Sequence, residues 1–206
     1  MSWPSSQNTP RVLVQGITGQ EARYWTERMV AYGTNVVAGV TPGKGGEAVQ
    51  GIPVYETVAE ARAKHKVDTS VLFVPTRAVK RAALEALRSH VQTIVVLTEH
   101  VPVQDTMEVL ATASDTGARV FGPNCPGLVV PDNYFLGILP AWEETIFRRG
   151  RVGIASRSGS LGTLICVEMI RRGFGQSAFL GIGGDPIVGT TFTHALHGFE
   201  VDEDTD

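Results

Sequence analysis

The sequence predicts an α/β protein: a doubly wound parallel sheet followed by a second, incomplete α/β unit. Three observations predict it. Short runs rich in Val, Leu and Ile alternate with longer segments of helical period through about residue 123, the pattern of a parallel sheet with helices on both faces and right-handed crossovers. The alternation lapses between Gly122 and Gly150, where Pro123, Pro126, Pro131 and Pro140 are interspersed with Gly122, Gly127 and Gly137, which predicts a long crossing segment rather than another crossover helix. It restarts at Arg151 and stops after one strand–helix–strand–helix stretch. The expected division is therefore a tail over residues 1–10, a first domain over 11–128, a connecting segment over 129–150 and an incomplete second domain over 151–206.

Each element follows from local chemistry. Arg11–Gln15 is a buried strand ending in a glycine turn, and Gln20–Tyr32 is a helix closed by Gly33, where a left-handed residue is wanted. Asn35–Val40 is the next strand. Thr57–Lys66 is a short helix with Thr57 as cap and Glu60 at capping-box spacing. Thr69–Val74, Thr93–Leu97 and Arg119–Phe121 are strands; Thr76–Ser89 and Val103–Thr116 are helices, the first with Ala78, Val79, Ala82, Ala83 and Ala86 on one side. Beyond the crossing segment, Arg151–Ala155 and Ser177–Gly181 are strands, Ser160–Arg172 a helix stopped by Gly173, and Thr191–Phe199 a short helix. A unit of some fifty residues cannot bury both faces of its own sheet. It packs on the first domain, is completed by another chain, or continues; an Asp-Glu-Asp-Thr-Asp end where another strand is due favours a truncated or split architecture.

Composition narrows the function classes. The 206 residues are 43% hydrophobic and 19% charged, ordinary for a folded globular chain. The longest apolar runs fall far short of the roughly 20 residues that span a bilayer, and Met1–Pro10 holds no Lys or Arg and no apolar core, so no targeting signal is expected. Cys125 and Cys166 form no disulfide framework or metal pattern, and a reducing cytoplasm is the expected location. The net charge of −3 conceals a nearly neutral body: five acids lie in residues 200–206, leaving 18 basic against 16 acidic residues elsewhere. Nothing in that balance suits nucleic acid or a membrane surface. His194 and His197 stand at i, i+3 without a carboxylate or Cys pattern to complete a metal site.

Six turns could carry chemistry. Gln15-Gly-Ile-Thr-Gly-Gln-Glu-Ala22 runs a strand into a helix start, where unpaired amides favour a phosphate; Thr18 takes the place of the fingerprint's central glycine, and a plain strand-to-helix turn fits equally. Thr41-Pro-Gly-Lys-Gly-Gly46 follows the second strand. A dinucleotide site expects an acid there to grip a ribose hydroxyl; Lys44 suits a phosphate instead and argues against NAD, although a solvated loop lysine remains open. Leu97-Thr-Glu-His100 lies at the carboxyl end of another strand, where ligands of open sheets bind; Thr98 or Glu99 could bond a purine or a pantetheine amide, or cap the next helix. Gly122-Pro-Asn-Cys-Pro-Gly127 presents Asn124 and Cys125 on a rigid turn with no cation nearby in sequence, which makes Cys125 structural or a pocket neighbour rather than a nucleophile. Ser156-Arg-Ser-Gly-Ser-Leu-Gly162 adds the hydroxyls of Ser156, Ser158 and Ser160 to a second phosphate-type helix start; it lacks the first glycine of a nucleophile elbow. Gly181-Ile-Gly-Gly-Asp-Pro186 follows the next strand and is expected to line the same crevice.

Taken in order, Gln15–Gly19, Gly39–Gly46, Gly122–Gly127, Ser156–Gly159 and Gly181–Pro186 resemble the alpha subunit of succinyl-CoA synthetase (succinate–CoA ligase), over about residues 10–200. The resemblance implies a CoA-binding Rossmann-like domain followed by a partial flavodoxin-like ligase domain. It implies that Thr18, Gly19, Gln20 and Glu21, then Lys44, then Leu97, Thr98 and Glu99 hold coenzyme A, with Asn124 and Cys125 near its thioester end. Ser156, Ser158 and Gly159 would receive the phosphate of a phosphohistidine loop. It further implies a hetero-oligomer with an ATP-grasp beta subunit carrying Mg-nucleotide, a small dicarboxylic acid as substrate, and the joining of carboxylate, CoA and nucleoside triphosphate into acyl-CoA, nucleoside diphosphate and phosphate. The family's phosphohistidine and its orienting glutamate fall beyond residue 206, and none of His65, His90, His100, His194 or His197 matches that motif. Two local departures accompany this: Thr163-Leu164 stands where the family has Tyr-Glu, and Gln20-Glu21-Ala22 where it has Ser-Gln-Gly. A non-catalytic CoA- or nucleotide-binding protein with a regulatory or scaffold role is the alternative.

Overall fold

A computed structural model of the chain describes residues 4, 5 and 7–206, so the tail expected over 1–10 lies partly outside the described residues. The first sheet is built from β1 (Arg11–Gln15), β2 (Asn35–Val40), β3 (Ala48–Val49), β4 (Ile52–Tyr55), β5 (Thr69–Leu72), β6 (Thr93–Val96) and β7 (Arg119–Phe121), in the order β3-β4-β2-β1-β5-β6-β7. All neighbours are parallel except β3 and β4, which form a hairpin at one edge. The helices between them are α1 (Gln20–Tyr32), α2 (Val58–Lys64), α3 (Thr76–Arg88) and α4 (Val103–Thr116).

Because side chains alternate across a strand, each central strand serves two cores. Leu13, Leu72, Ile94 and Val96 pack with Val58, Ala61, Val79, Ala83, Leu87 and Val109 from α2, α3 and α4. Val12, Val14, Val71 and Val95 pack on the opposite side with Met29 of α1. Burial of each Val, Leu, Ile or Met side chain in these two sets contributes about 2 kcal/mol, and of each alanine methyl about 0.8 kcal/mol. The ends of the helices follow their sequence signals: Gly33 and Gly117 close α1 and α4 in left-handed conformation. Thr57 caps α2 by accepting from Glu60 N, but the Glu60 carboxylate takes the Glu56 N–H rather than that of Thr57. The reciprocal capping box expected there is thus half formed; a full one starts α6 (Phe192–Glu200), between Thr191 and His194.

The second sheet, β10-β11-β8-β9, corrects the expectation for the crossing segment. Residues 129–150 contain no crossover helix, yet they are not a bare connection. β8 (Gly127–Val130) and β9 (Tyr134–Gly137) form an antiparallel hairpin, and β8 pairs with β11 (Gln176–Gly181), which runs parallel to β10 (Arg149–Ser156). The prolines that suggested a loop sit before, between and after these two four-residue strands. Both strands are buried throughout, and Val129 and Phe135 join the same core as Val12, Val14 and Met29. Thr34, just after α1, fastens the joint: its Oγ1 donates to Phe135 O at 2.8 Å and accepts from Phe135 N at 3.1 Å. The second unit therefore buries its hairpin against the first. Its helices are α5 (Gly159–Arg171) and α6. Among the described residues no helix is long and apolar enough to cross a membrane.

Candidate functional site

The parallel strands β1, β2, β5, β6 and β7 end on one rim, and the turns that follow them are the turns singled out by sequence. After β1, Gly16 adopts φ +81°, and a Cβ there would lie 2.2 Å from Phe73 O. Only glycine lets this turn close onto the end of β5. Gly19 then occupies the N-cap of α1 without any side-chain cap. Its own N–H donates to Gly16 O, while the N–H groups of Gln20, Glu21 and Ala22 find no protein acceptor among the described residues. These outward amides and the positive end of the helix make the position receptive to an anion.

They open into a cleft of about 390 Å³ with Gly19, Gln20 and Glu21 on one wall and Leu97, Thr98 and Glu99 on the other. Ile138, beyond β9, closes it from the second unit. The turn after β6 does not cap α4, whose N-cap is Pro102 with no side-chain bond. Instead Thr98 Oγ1 donates to Val74 O at 2.6 Å, and Glu99 O accepts from Thr76 Oγ1. The two turns are thus tied together, with the Glu99 carboxylate exposed at the cleft and 3.8 Å from His100 Nε2.

Thr18 and Lys44 stand apart from this cleft. Thr18 Oγ1 donates to Thr41 Oγ1 at 3.2 Å, linking the first and second turns. Lys44 Nζ pairs with Glu47 at 3.0 Å on the surface. The amides around it are not available to a ligand: Gly43 N and Gly45 N donate to the Glu56 carboxylate at 2.6 and 2.7 Å. These two bonds hold the Glu56 carboxyl below its usual range.

A second cleft, of about 590 Å³, shares Leu97, Glu99 and Ile138 with the first and runs toward the second sheet. Its other walls include Asn124, Cys125, Ser158 and Gly159. The turn carrying Asn124 is clasped from both sides, by Asn124 N donating to Thr98 O and Gly184 N donating to Asn124 O, each at 2.8 Å. Cys125 is 1% exposed, its thiol donates to Gly181 O at 2.9 Å, and burial pushes its pKa up to about 12. Such a thiol is no nucleophile at neutral pH. Ser158 caps α5 by accepting from Leu161 N at 3.2 Å, and Ser156 Oγ donates to Ser158 O, so both hydroxyls shape the turn. The N–H groups of Gly159 and Ser160 have no protein acceptor among the described residues and form a second receptive helix start.

Arg157 and Asp185, which carried no role in the sequence motifs, join the two units. Arg157 donates to Gly183 O at 2.9 Å, Gly184 O at 3.1 Å and Asp185 O, locking the turn after β11. The buried Asp185 carboxylate accepts from Val101 N at 3.0 Å and His100 N at 3.3 Å, reaching back to the first sheet. Ile138 and Glu56 carried no sequence signal. None of the five histidines lines either cleft.

Fold and crevice together define a Rossmann-like α/β protein whose first cleft is bordered by Ile138 of a second α/β unit. Residues 7–100 match the CoA binding domain family. The chain is 46% identical over 195 residues to subunit alpha 2 of the ADP-forming succinate–CoA ligase of Archaeoglobus fulgidus, covering 95% of this chain and 67% of that one. It is 40% identical to the ADP-forming sulfoacetate–CoA ligase subunit SqwL of an Acholeplasma species, covering 95% of this chain and 66% of that one. The chain belongs to the family of alpha subunits of succinate–CoA ligases and spans about two thirds of the length of these curated relatives. Among solved structures, ATP citrate lyase from Methanothrix soehngenii in complex with citrate and coenzyme A shares the fold, with a TM-score of 0.84 at 21% identity over 96% of this chain and 35% of that one.

Proposed function

We propose that this chain supplies the coenzyme A site of an ADP-forming acid–CoA ligase. The observation that carries the reading is the continuity of the two clefts. A long ligand with phosphates at one end and a thiol at the other can lie with its diphosphate against the Gln20–Ala22 amides, its pantetheine between Leu97 and Ile138, and its sulfur near Asn124 and Cys125. Thr98 and Glu99 offer polar atoms along the way, and Lys44 lies on the same rim after β2, where a ribose phosphate of such a ligand would reach. Asn124, not the buried Cys125 thiol, is the side chain with polar atoms to offer at the thioester end. The α5 start, with Gly159 and Ser160 amides and the Ser156 and Ser158 turn, suits a phosphoryl group arriving beside that thiol.

In this reading the reaction joins a small carboxylate, CoA and a nucleoside triphosphate into acyl-CoA, nucleoside diphosphate and phosphate. The chain's own residues bind CoA and hold its thiol at the meeting point of the two units. Nucleotide chemistry belongs to an ATP-grasp beta partner, and a phosphate-carrying histidine comes from outside these 206 residues. A succinate-like dicarboxylate is the proposed acid; the sulfoacetate relative makes another small dianion the natural competitor. Calorimetric titration of the chain with CoA tests the site: saturable binding at one CoA per chain is expected, and absence of binding overturns it. Mixing with a beta subunit and labelled ATP tests the assignment of the phosphate carrier; the chain should remain unlabelled, and stable labelling of it would contradict the reading.

A further inference from the structure

The loop between β2 and β3 has the composition of a phosphate cradle and the hydrogen bonding of something else. Every amide from Gly43 to Glu47 has an acceptor inside the protein. Lys44 N donates to Thr41 O at 3.0 Å, Gly46 N to Val54 O at 3.0 Å and Glu47 N to Lys44 O at 3.2 Å. Gly43 N and Gly45 N both donate to the two oxygens of Glu56. A carboxylate receiving two short amide bonds occupies the very place an external anion would take in a backbone nest. Glycine at position 45 leaves room for this seat, since a Cβ there would lie 2.8 Å from Glu56 Oε1 and Cγ and would push the carboxylate aside.

We propose that Glu56 is a positioning residue: its carboxylate is the built-in anion of the 43–46 loop, and it fixes the loop so that the Lys44 ammonium alone meets a ligand phosphate. This rests on the reading of the crevice as a CoA site. Lys44 follows β2, the position that in open sheets addresses the ribose, so the phosphate it meets is the one on the CoA ribose. The bound phosphate would displace Glu47, which holds Nζ at 3.0 Å on an exposed surface, where such a pair is weak enough to exchange.

The test compares CoA with 3′-dephospho-CoA by calorimetry in the wild-type chain, Glu56→Gln, Lys44→Ala and the double variant, with folding checked by circular dichroism. Loss of the charge-assisted bonds in Glu56→Gln should raise the Kd for CoA about tenfold and leave that for 3′-dephospho-CoA unchanged. The double variant should be no weaker than Lys44→Ala, because both act through one ammonium group. Gly45→Ala, which displaces the carboxylate from the other side, should show the same selective loss. Wild-type CoA affinity in Glu56→Gln overturns the proposal, as do equal losses for both ligands or additive losses in the double variant. If CoA fails to bind the wild-type chain, the reading of the crevice falls and this inference with it, an outcome distinct from binding that Glu56 does not influence.

Discussion

The turns after β1 and β2 sit side by side on one rim, joined by the Thr18–Thr41 bond, and both are rich in glycine. In the first, glycine at position 16 serves the protein by letting the turn lie against Phe73, while the amides of Gln20, Glu21 and Ala22 stay open. In the second, Glu56 takes the Gly43 and Gly45 amides, backbone carbonyls take those of Lys44, Gly46 and Glu47, and the cationic Lys44 side chain projects. A glycine-rich turn is thus a phosphate site only where its N–H groups lack acceptors within the protein. One turn offers a dipole and a row of donors; its neighbour offers a point charge.

The largest effect is expected at the first turn. Gly16→Ala should destabilise the chain by about 3 kcal/mol, because a Cβ is forced into a carbonyl oxygen at a backbone angle that disfavours it; urea unfolding measures this, and a change under 1 kcal/mol would show that the turn relaxes at little cost. At the second turn the prediction separates binding from folding. Lys44→Ala should weaken CoA binding about tenfold while stability in urea shifts by no more than about 0.5 kcal/mol. Unaltered affinity would remove Lys44 from the site. A smaller effect is expected at Glu21, whose carboxylate sits in the first turn of α1 on the wall of the cleft. Glu21→Gln removes a negative charge beside an incoming phosphate and should tighten CoA binding about threefold at low salt, less as salt rises. Weaker binding would mean that the acid contacts the ligand favourably.

The smallest effect is a pH dependence confined to the second turn. The Glu56 carboxyl is held below its usual range by the Gly43 and Gly45 N–H groups. With the folded-state value depressed, its bonds persist through the ordinary glutamate range and are lost only as pH falls through the lowered value. The amide resonances of Gly43 and Gly45 should therefore hold steady on acidification to that ordinary range and move only below it; movement within it would contradict the carboxylate's role.

Much of the frame was legible in the sequence because central strands of a parallel sheet are short apolar runs and their helices are amphipathic. β1, β2, β5, β6 and β7 and the helices between them lie within a few residues of their expected positions. The hairpins were not. Gln50 and Gly51 both take positive φ between β3 and β4, as a two-residue hairpin turn requires, but glutamine in place of the usual asparagine or aspartate hides the signal. β8 and β9 hide among prolines and glycines that flank them. At the site, the sequence placed the turns after β1, β2 and β6 at one end of the sheet; the structure brings Gly19–Glu21 and Leu97–Glu99 to the first cleft but leaves Thr18 and Lys44 outside its lining. It could not tell whether Thr98 and Glu99 cap α4, which depends on Pro102 starting the helix three residues later. Nor could it show that Glu56 reaches Gly43 or that Asp185 reaches His100, because both contacts are made by tertiary approach rather than by helical or strand spacing.

The most direct test of the account is a titration of the labelled chain with CoA, followed on backbone amides by nuclear magnetic resonance. The account predicts large shifts at Gln20, Glu21 and Ala22 as their open N–H groups meet the diphosphate, with Gly43 and Gly45 nearly unmoved because Glu56 keeps them. Large shifts at Gly43 and Gly45, with the first turn of α1 silent, would contradict it.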